Sequence, residues 1–240
     1  MTQSILAIGS AESTISHDNI WTNYNNIPFY EEAAYGLLEN LAIQGGLNKC
    51  CDLELIKPYI INTSSILEVG AGYGRVIEYL LANNFKGKLS AIERGMTFCE
   101  IIKNKFHNNI NLFQADLLTF QTKEKFQTIL WLWSGIADFS KKEQLATLYK
   151  LFSFLCENGL LIIDNIPHSV TPLKANSTKK QHINVRLGKE NSYLYNVSSE
   201  EIIEYAKKIK AYVKIINYKT NTGRNRIIYL LSRKKNVLFL

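Results

Sequence analysis

The sequence predicts an α/β protein built on a mainly parallel, doubly wound sheet. Three observations carry that prediction. Short apolar runs alternate with stretches of helical periodicity, as strand–crossover–strand units do. Most of the strand candidates are apolar at successive positions, the pattern of strands covered on both faces. The 240 residues, 46% hydrophobic and 20% charged, supply enough apolar surface for a sizeable core and exclude a disordered chain. No repeat, low-complexity tract or linker divides them, so one domain is expected over residues 1–240.

In chain order, Glu31–Ile43 reads as one amphipathic helix with Ala34, Leu37, Leu38 and Leu41 on a stripe. A short helix starts near Asp52 and is expected to end before Pro58, because the residue before a proline disfavours the helical region. Strands are expected at Ser65–Val69, Leu89–Glu93, Asn111–Gln114, Thr128–Trp133 and Leu160–Asp164. The helices among them are Arg75–Asn84, Met96–His107 and Lys141–Glu157, the last closed by Asn158-Gly159. His182–Leu187 and Ser192–Val197 alternate about a turn at 188–191 and read as a hairpin. Ser198-Ser-Glu-Glu201 is a capping box opening a helix over Glu200–Lys210. Tyr212–Tyr218 and Arg226–Ser232 follow, and so short a connection makes them antiparallel if they pair.

Charge is unevenly placed. The net +7 hides a segment, Tyr205–Leu240, with ten basic and no acidic residues; the other 204 positions hold 18 basic against 21 acidic residues, a net of −3. Such an end suits either a solvated strand and tail or a polyanionic partner. Cys50, Cys51, Cys99 and Cys156 show no metal-ligand spacing, so reduced thiols and no metal are expected. The opening MTQSILAIGS lacks a basic n-region, and no apolar run approaches the ~20 residues of a membrane span. A cytoplasmic protein is expected.

The most informative segment is Ile66-Leu-Glu-Val-Gly-Ala-Gly-Tyr-Gly-Arg75, at a strand-to-helix junction. Gly70, Gly72 and Gly74 allow tight turning and close approach of a ligand to backbone, and the helix N-terminus behind them favours an anion. A dinucleotide fingerprint needs glycine at position 75, where this chain has arginine, so that class is disfavoured. Arg75 reads better as a partner for a carboxylate or a brace for the loop. Glu68 is an unusual charge on an apolar strand unless something uses it.

Glu-x-Gly-x-Gly-x-Gly at the end of a first strand resembles motif I of the class I S-adenosylmethionine-dependent methyltransferases. Glu93, ending the second strand, falls where that family's acidic residue holds both ribose hydroxyls. Asp116, after the third strand, falls where the family's Asp accepts from the adenine amino group. Phe126-Gln-Thr-Ile-Leu-Trp-Leu-Trp133 is similar to the fourth strand, whose end lies beside the methionine part. Taken singly, Glu93 could be a helix N-terminal charge and Asp116 a turn former. All of these in order, over roughly residues 21–235, carry the resemblance.

It implies a Rossmann-like, doubly wound seven-stranded sheet with the last strand antiparallel, plus an N-terminal helical lid and a hairpin cap. The parts would be a lid and helices at 1–60, a cofactor-binding core at 61–165, the cap at 166–198, and a closing helix with antiparallel strands at 199–240. The implied cofactor is S-adenosylmethionine, with S-adenosylhomocysteine as product. The residues implied to hold it are Tyr24 on the lid, Glu68, Gly70, Gly72, Gly74, Glu93, Arg94, Met96, Asp116, Leu117 and Trp131, with core packing the plainer reading of Trp131.

In-line methyl transfer requires donor and acceptor to be held in line, and a base only when the nucleophile arrives protonated. The acceptor is therefore read from the pocket walls. Trp133 and Ser134 in the loop after strand four, and Tyr193 and Tyr195 on the hairpin, are its candidate contacts. Asp138 and His168 are the candidate bases. Amino-methylating nucleic-acid enzymes carry Asn/Asp-Pro-Pro-Tyr after strand four, where this chain reads Trp133-Ser-Gly-Ile136. Asp164-Asn165 is similar to the metal-ligand pair of catechol-type O-methyltransferases, but Leu132 and Trp133 occupy the region of their third ligand. The expected acceptor is a small molecule methylated on N or O. The alternatives are a protein or RNA docked through the basic end, or a silent cofactor-binding module.

Overall fold

The computed structural model describes residues 26–33, 36–167, 182–187 and 190–239. A seven-stranded sheet runs through it in the order β3-β2-β1-β4-β5-β9-β8. The strands are β1 (Ser65–Val69), β2 (Lys88–Glu93), β3 (Asn111–Gln114), β4 (Phe126–Trp131), β5 (Leu155–Asn165), β8 (Tyr212–Lys219) and β9 (Asn225–Ser232). The first five are mutually parallel, and β9, the last strand in sequence, lies antiparallel between β5 and β8. The expected seven strands and the antiparallel last strand are both present. β6 (His182–Leu187) and β7 (Glu190–Tyr195) form a separate antiparallel hairpin.

Strand alternation sorts the core into two layers. On one face Leu67, Val69, Ile129, Trp131, Leu161 and Ile163 pack against α6 (Lys141–Phe154) and α7 (Ser199–Lys208). On the other, Ile66, Leu130, Leu160 and Ile162 pack against α3 (Cys51–Ile60), α4 (Arg75–Ala82) and α5 (Met96–Phe106). The predicted capping box holds: Ser198 Oγ accepts from the Glu201 N–H, and the Glu201 carboxylate from the Ser198 N–H.

Several boundaries differ, each for a local reason. The single helix expected over Glu31–Ile43 is two, α1 (Ile27–Ala33) and α2 (Leu37–Gly45), broken where Gly36 takes φ +89°. α3 runs through Pro58 to Ile60, because Leu53, Ile56 and Ile60 bury one stripe that outweighs the lost hydrogen bond. α6 ends at Phe154, and Leu155 is already extended and paired with Phe126. Asn158-Gly159 is thus no helix stop but lies in the irregular stretch where the register slips before Thr128 meets Leu160. β4 stops at Trp131, since Trp133 and Ser134 have φ of +51° and +60°. β7 starts at Glu190, opposite Leu187, two residues earlier than the alternation suggests.

Because β9 runs backwards, its first residues reach the carboxyl edge of the parallel strands. There Arg226 meets Asp164 at the end of β5: Nη2 to Oδ2 is 2.6 Å and Nε to Oδ1 is 3.0 Å. Both side chains are buried. Asp164 also accepts from the Tyr218 hydroxyl and the Trp133 N–H, each at 2.9 Å. The guanidinium donates on to Ser134 Oγ at 2.9 Å. The β8–β9 turn seals the same edge against the N-terminal helices: Asn221 N–H donates to the Gly46 carbonyl, and a Cβ at Gly46 would come within 2.5 Å of the Thr222 nitrogen.

Removing one member of this pair leaves a buried charge unanswered. Arg226→Met should cost about 3–5 kcal/mol, lowering the calorimetric Tm by roughly 6–20 °C. Asp164→Asn combined with Arg226→Met should recover much of that loss.

Candidate active site

The site lies at the carboxyl ends of β1, β2 and β4. The loop after β1 turns through Gly70, Gly72 and Gly74 at φ of +71°, +53° and +87°. Their surroundings differ. A Cβ at Gly70 would meet nothing within 4 Å, so the backbone there faces open space. At Gly74 it would run into the Phe106 ring, so that glycine serves the packing of α4 on α5. Arg75 braces the loop from behind, as its place in the sequence suggested: it grips buried Asp52 at 2.6 and 2.8 Å and donates to the Leu47 carbonyl.

Two carboxylates face this loop. Glu93, ending β2, accepts from the Gly72 N–H through Oε2 and the Gly95 N–H through Oε1, both at 2.8 Å. The Arg94 N–H adds to these two, and an ionised carboxylate has about four lone-pair sites, so room remains for a further donor. Burial raises its pKa, against those N–H bonds. Glu68 is buried on β1, and its Oε2 is a buried oxygen with no hydrogen-bond partner among the described residues. Burial pushes its carboxyl up to about 8, with Arg75 pulling the other way. An orphaned buried oxygen, a carboxylate with room for a further donor and open space above Gly70 fit a polar ligand carrying hydroxyls and a positive charge.

Around this centre, Met96 is largely exposed at the start of α5. Asp116 uses Oδ1 to accept from the Leu118 N–H at 2.7 Å, so it does form the turn, and its Oδ2 lies 3.6 Å from Arg94 Nη1. Leu117 is buried beside it. Trp131 is 1% exposed and packs edge-on against Phe139, inside the sheet's first layer.

The other side of this edge is built by the turn after β4. The Asp164 carboxylate and carbonyl hold the Trp133 and Ser134 N–H groups, keeping both residues left-handed and turning the Trp133 ring to within 6.4 Å of Tyr73. One side-chain amide then ties three elements together: Gln144 Nε2 of α6 lies 2.9–3.2 Å from the carbonyls of Ile136, Phe139 and Tyr195. Between these points sits Asp138. The Tyr30 hydroxyl of α1 donates to its Oδ1 at 2.7 Å, and Asn26 Nδ2 adds a bond at 3.2 Å. Burial pushes the Asp138 carboxyl up to about 6, against the lowering effect of Tyr30, Arg94 and Asn26. The Arg94 guanidinium lies 5.7 Å from the centre of the Tyr30 ring. Glu31, next on α1, accepts from the Met96 N–H and the Thr97 hydroxyl at 3.2 and 3.0 Å. α1 packs against both strands of the hairpin, and β7 packs on the 135–138 turn.

Glu68, the glycine loop, Glu93, Arg94, Met96, Asp116, Trp133, Ser134 and Asp138 therefore gather at one edge of the sheet. Tyr195 is buried with its hydroxyl on Glu201 at 2.7 Å, turned toward α7. Tyr24 and His168 lie outside the described residues, as does the side chain of Tyr193. Asp164, weighed as half of a metal pair, is instead filled by Arg226, Tyr218 and the Trp133 N–H. Sequence reasoning missed Tyr30, Asn26 and Arg226. Asn26 and Tyr30 lie in the N-terminal segment expected to form the lid, and Arg226 is a charge at the head of an apolar strand.

A seven-stranded sheet of this order, with a glycine loop after β1 and acidic residues after β2 and β3, defines a class I S-adenosylmethionine-dependent methyltransferase. The model of the ribosomal RNA adenine dimethylase family matches residues 47–193, and the chain belongs to that family. A tRNA (guanine-N(7)-)-methyltransferase of Mycoplasma mobile is 27% identical over 178 residues, 67% of this chain and 86% of that protein. An (S)-coclaurine N-methyltransferase of Papaver somniferum is 26% identical over 143 residues, 58% of this chain; the match spans only 40% of that relative's length. Among solved structures, an S-adenosylmethionine-dependent methyltransferase from Clostridium acetobutylicum superposes with a TM-score of 0.59 at 17% identity, covering 75% of this chain and 88% of its own. S-adenosylmethionine-bound CalS10, an amino pentose methyltransferase from Micromonospora echinaspora, gives 0.58 at 14%, covering 80% and 96%. These structures share the fold.

The raised Glu68 carboxyl has a stability consequence. The folded protein keeps a proton there that the unfolded chain loses above the ordinary 4.5, so stability falls as pH rises from about 4.5 to about 8. Thermal denaturation at pH 5, 6, 7 and 8 should show that fall, and Glu68→Gln should flatten it.

Proposed function

We propose that the chain transfers a methyl group from S-adenosylmethionine to a nitrogen or oxygen of a small-molecule acceptor. Enclosure supports this reading: α1, the hairpin and the 133–138 turn meet at one edge of the sheet, with Asp138 where they join. The Trp133-Ser-Gly-Ile136 sequence after β4 points the same way, since the Pro-Pro-Tyr of amino-methylating nucleic-acid enzymes is absent there.

Glu93 would hold the ribose hydroxyls, Asp116 the adenine amino group, and the 70–74 backbone with Glu68 the charged methionine end. Leu117 and Met96 would flank the adenine. When bound, the cofactor supplies an electrophilic methyl carbon and its own leaving group. What the chain adds is alignment, exclusion of water beneath α1, and Asp138 as acceptor of a proton. Trp133 offers a ring face to a cationic or flat acceptor.

An RNA acceptor is the second reading, favoured by the family and by the tRNA-modifying relative. The basic end gives it limited support, because β8 and β9 divide its charges. Lys219 and Arg224 flank the turn at the site's edge of the sheet. Lys207, Lys208, Lys210, Arg233, Lys234 and Lys235 lie at the other end of the eight-residue strands, roughly 26 Å away. Only a long polyanion would touch both groups.

Calorimetric titration should show one-to-one binding of S-adenosylmethionine and S-adenosylhomocysteine. Glu93→Ala removes charge-assisted hydrogen bonds of ~1.5–3 kcal/mol, about a 10- to 150-fold loss of affinity. Unchanged affinity would remove Glu93 from the site. A labelled tRNA transcript that binds with a steep salt dependence would favour the second reading over the first.

A further inference from the structure

Asp138 is tied on one side to the turn after β4 and on the other to α1, and nothing in the reading above accounts for the second tie. Its partner there, Tyr30, donates to both carboxylate oxygens, at 2.7 and 2.9 Å. Tyr30 is itself held from the far side by Arg94, which also approaches Asp116. Among the described residues, the charged and titratable groups facing Asp138 are Tyr30 from α1, and Arg94 and Glu93 from the end of β2. From the hairpin, Tyr195 is bonded to Glu201 instead, and Lys141 at the head of α6 is paired with the same glutamate.

We propose that Tyr30 is a positioning residue that acts through Asp138, holding its carboxylate ionised and oriented toward an acceptor whose reacting N–H or O–H must be lost on methylation. The inference rests on the methyl-transfer reading and narrows its substrate class to amines and hydroxyl compounds that carry that proton, as against nucleophiles that carry none. The proton passes from the acceptor atom to an Asp138 oxygen, and the carboxylate becomes a neutral acid. Ordering follows from the geometry. The donor resides on α1, so Asp138 has its full set of hydrogen bonds only when α1 is seated, and α1 is seated through Glu31 on the head of α5 and through Arg94, both at the cofactor end of the site. A proton acceptor completed by its own cover is ready only once the chamber is closed.

The test needs no acceptor. Carbon-13 NMR of the Asp138 carboxyl, assigned with Asp138→Asn, follows its titration in the whole protein. Tyr30→Phe keeps the ring against Arg94 and removes one donor to the charged form, so the midpoint should rise by about 1 unit. Incorporation of 3-fluorotyrosine at position 30 alters the donor's acidity without removing a contact, and should also move the midpoint, which covers the case in which the phenylalanine variant does not fold. A midpoint unmoved in both overturns the inference. Calorimetry with S-adenosylhomocysteine on the same samples separates the two claims: binding with an unmoved midpoint sinks the role of Tyr30 alone, whereas no binding by the wild-type protein sinks the methyl-transfer reading.

Discussion

The buried pair between Asp164 and Arg226 is the constraint on which the turn after β4 depends. Parallel strands leave their carboxyl ends open, and a side chain from the next strand in line would arrive at the wrong edge. Running β9 backwards brings its first residues to the right one. The guanidinium then neutralises Asp164 and reaches Ser134, while the freed geometry of Asp164 captures the backbone of Trp133. Two residues in left-handed conformations would each cost of order 1–3 kcal/mol without such support. The antiparallel strand therefore shapes the turn on which Trp133 and Asp138 stand.

A second buried pair plays the matching role for the glycine loop. Arg75 and Asp52 lock the back of the glycine loop to α3 and to the Leu47 carbonyl. Behind a fixed loop, the Gly72 N–H can be aimed at Glu93 with no adjustment on ligand entry. The contrast between Gly70 and Gly74 shows that one motif combines two requirements: the first glycine clears room, and the third lets two helices touch.

Much of this was legible in the sequence because it is local. Strand periodicity located β1 through β5 to within a few residues, except the start of β5, and the capping box marked α7. The spacing of glycines and acids marked residues that meet at the carboxyl ends of β1 and β2. What was not legible depends on distance. Gly36 breaks a stripe that reads as continuous, since periodicity alone does not report a positive φ. The end of α6 depends on Phe126 offering Leu155 a partner, and that partner is 29 positions back in the chain. Tyr30 and Asn26 gain meaning only from Asp138, more than a hundred residues on. The positions where a local rule broke, Glu68 and Arg226, were the informative ones, as expected where a sequence departs from its own pattern.

The seam between the β8–β9 turn and Gly46 has a bearing on how the molecule is made. Asn221 and Thr222 fill space beside the carboxyl end of α2, and Thr222 Oγ1 reaches the Gln44 carbonyl. That contact joins segments nearly 180 residues apart. During synthesis α2 emerges nearly 180 residues before the turn that receives it. The nascent chain must therefore carry α2 without this contact until the β8–β9 hairpin clears the ribosome. In the finished molecule this late contact ties the carboxyl end of α2 to the β8–β9 turn.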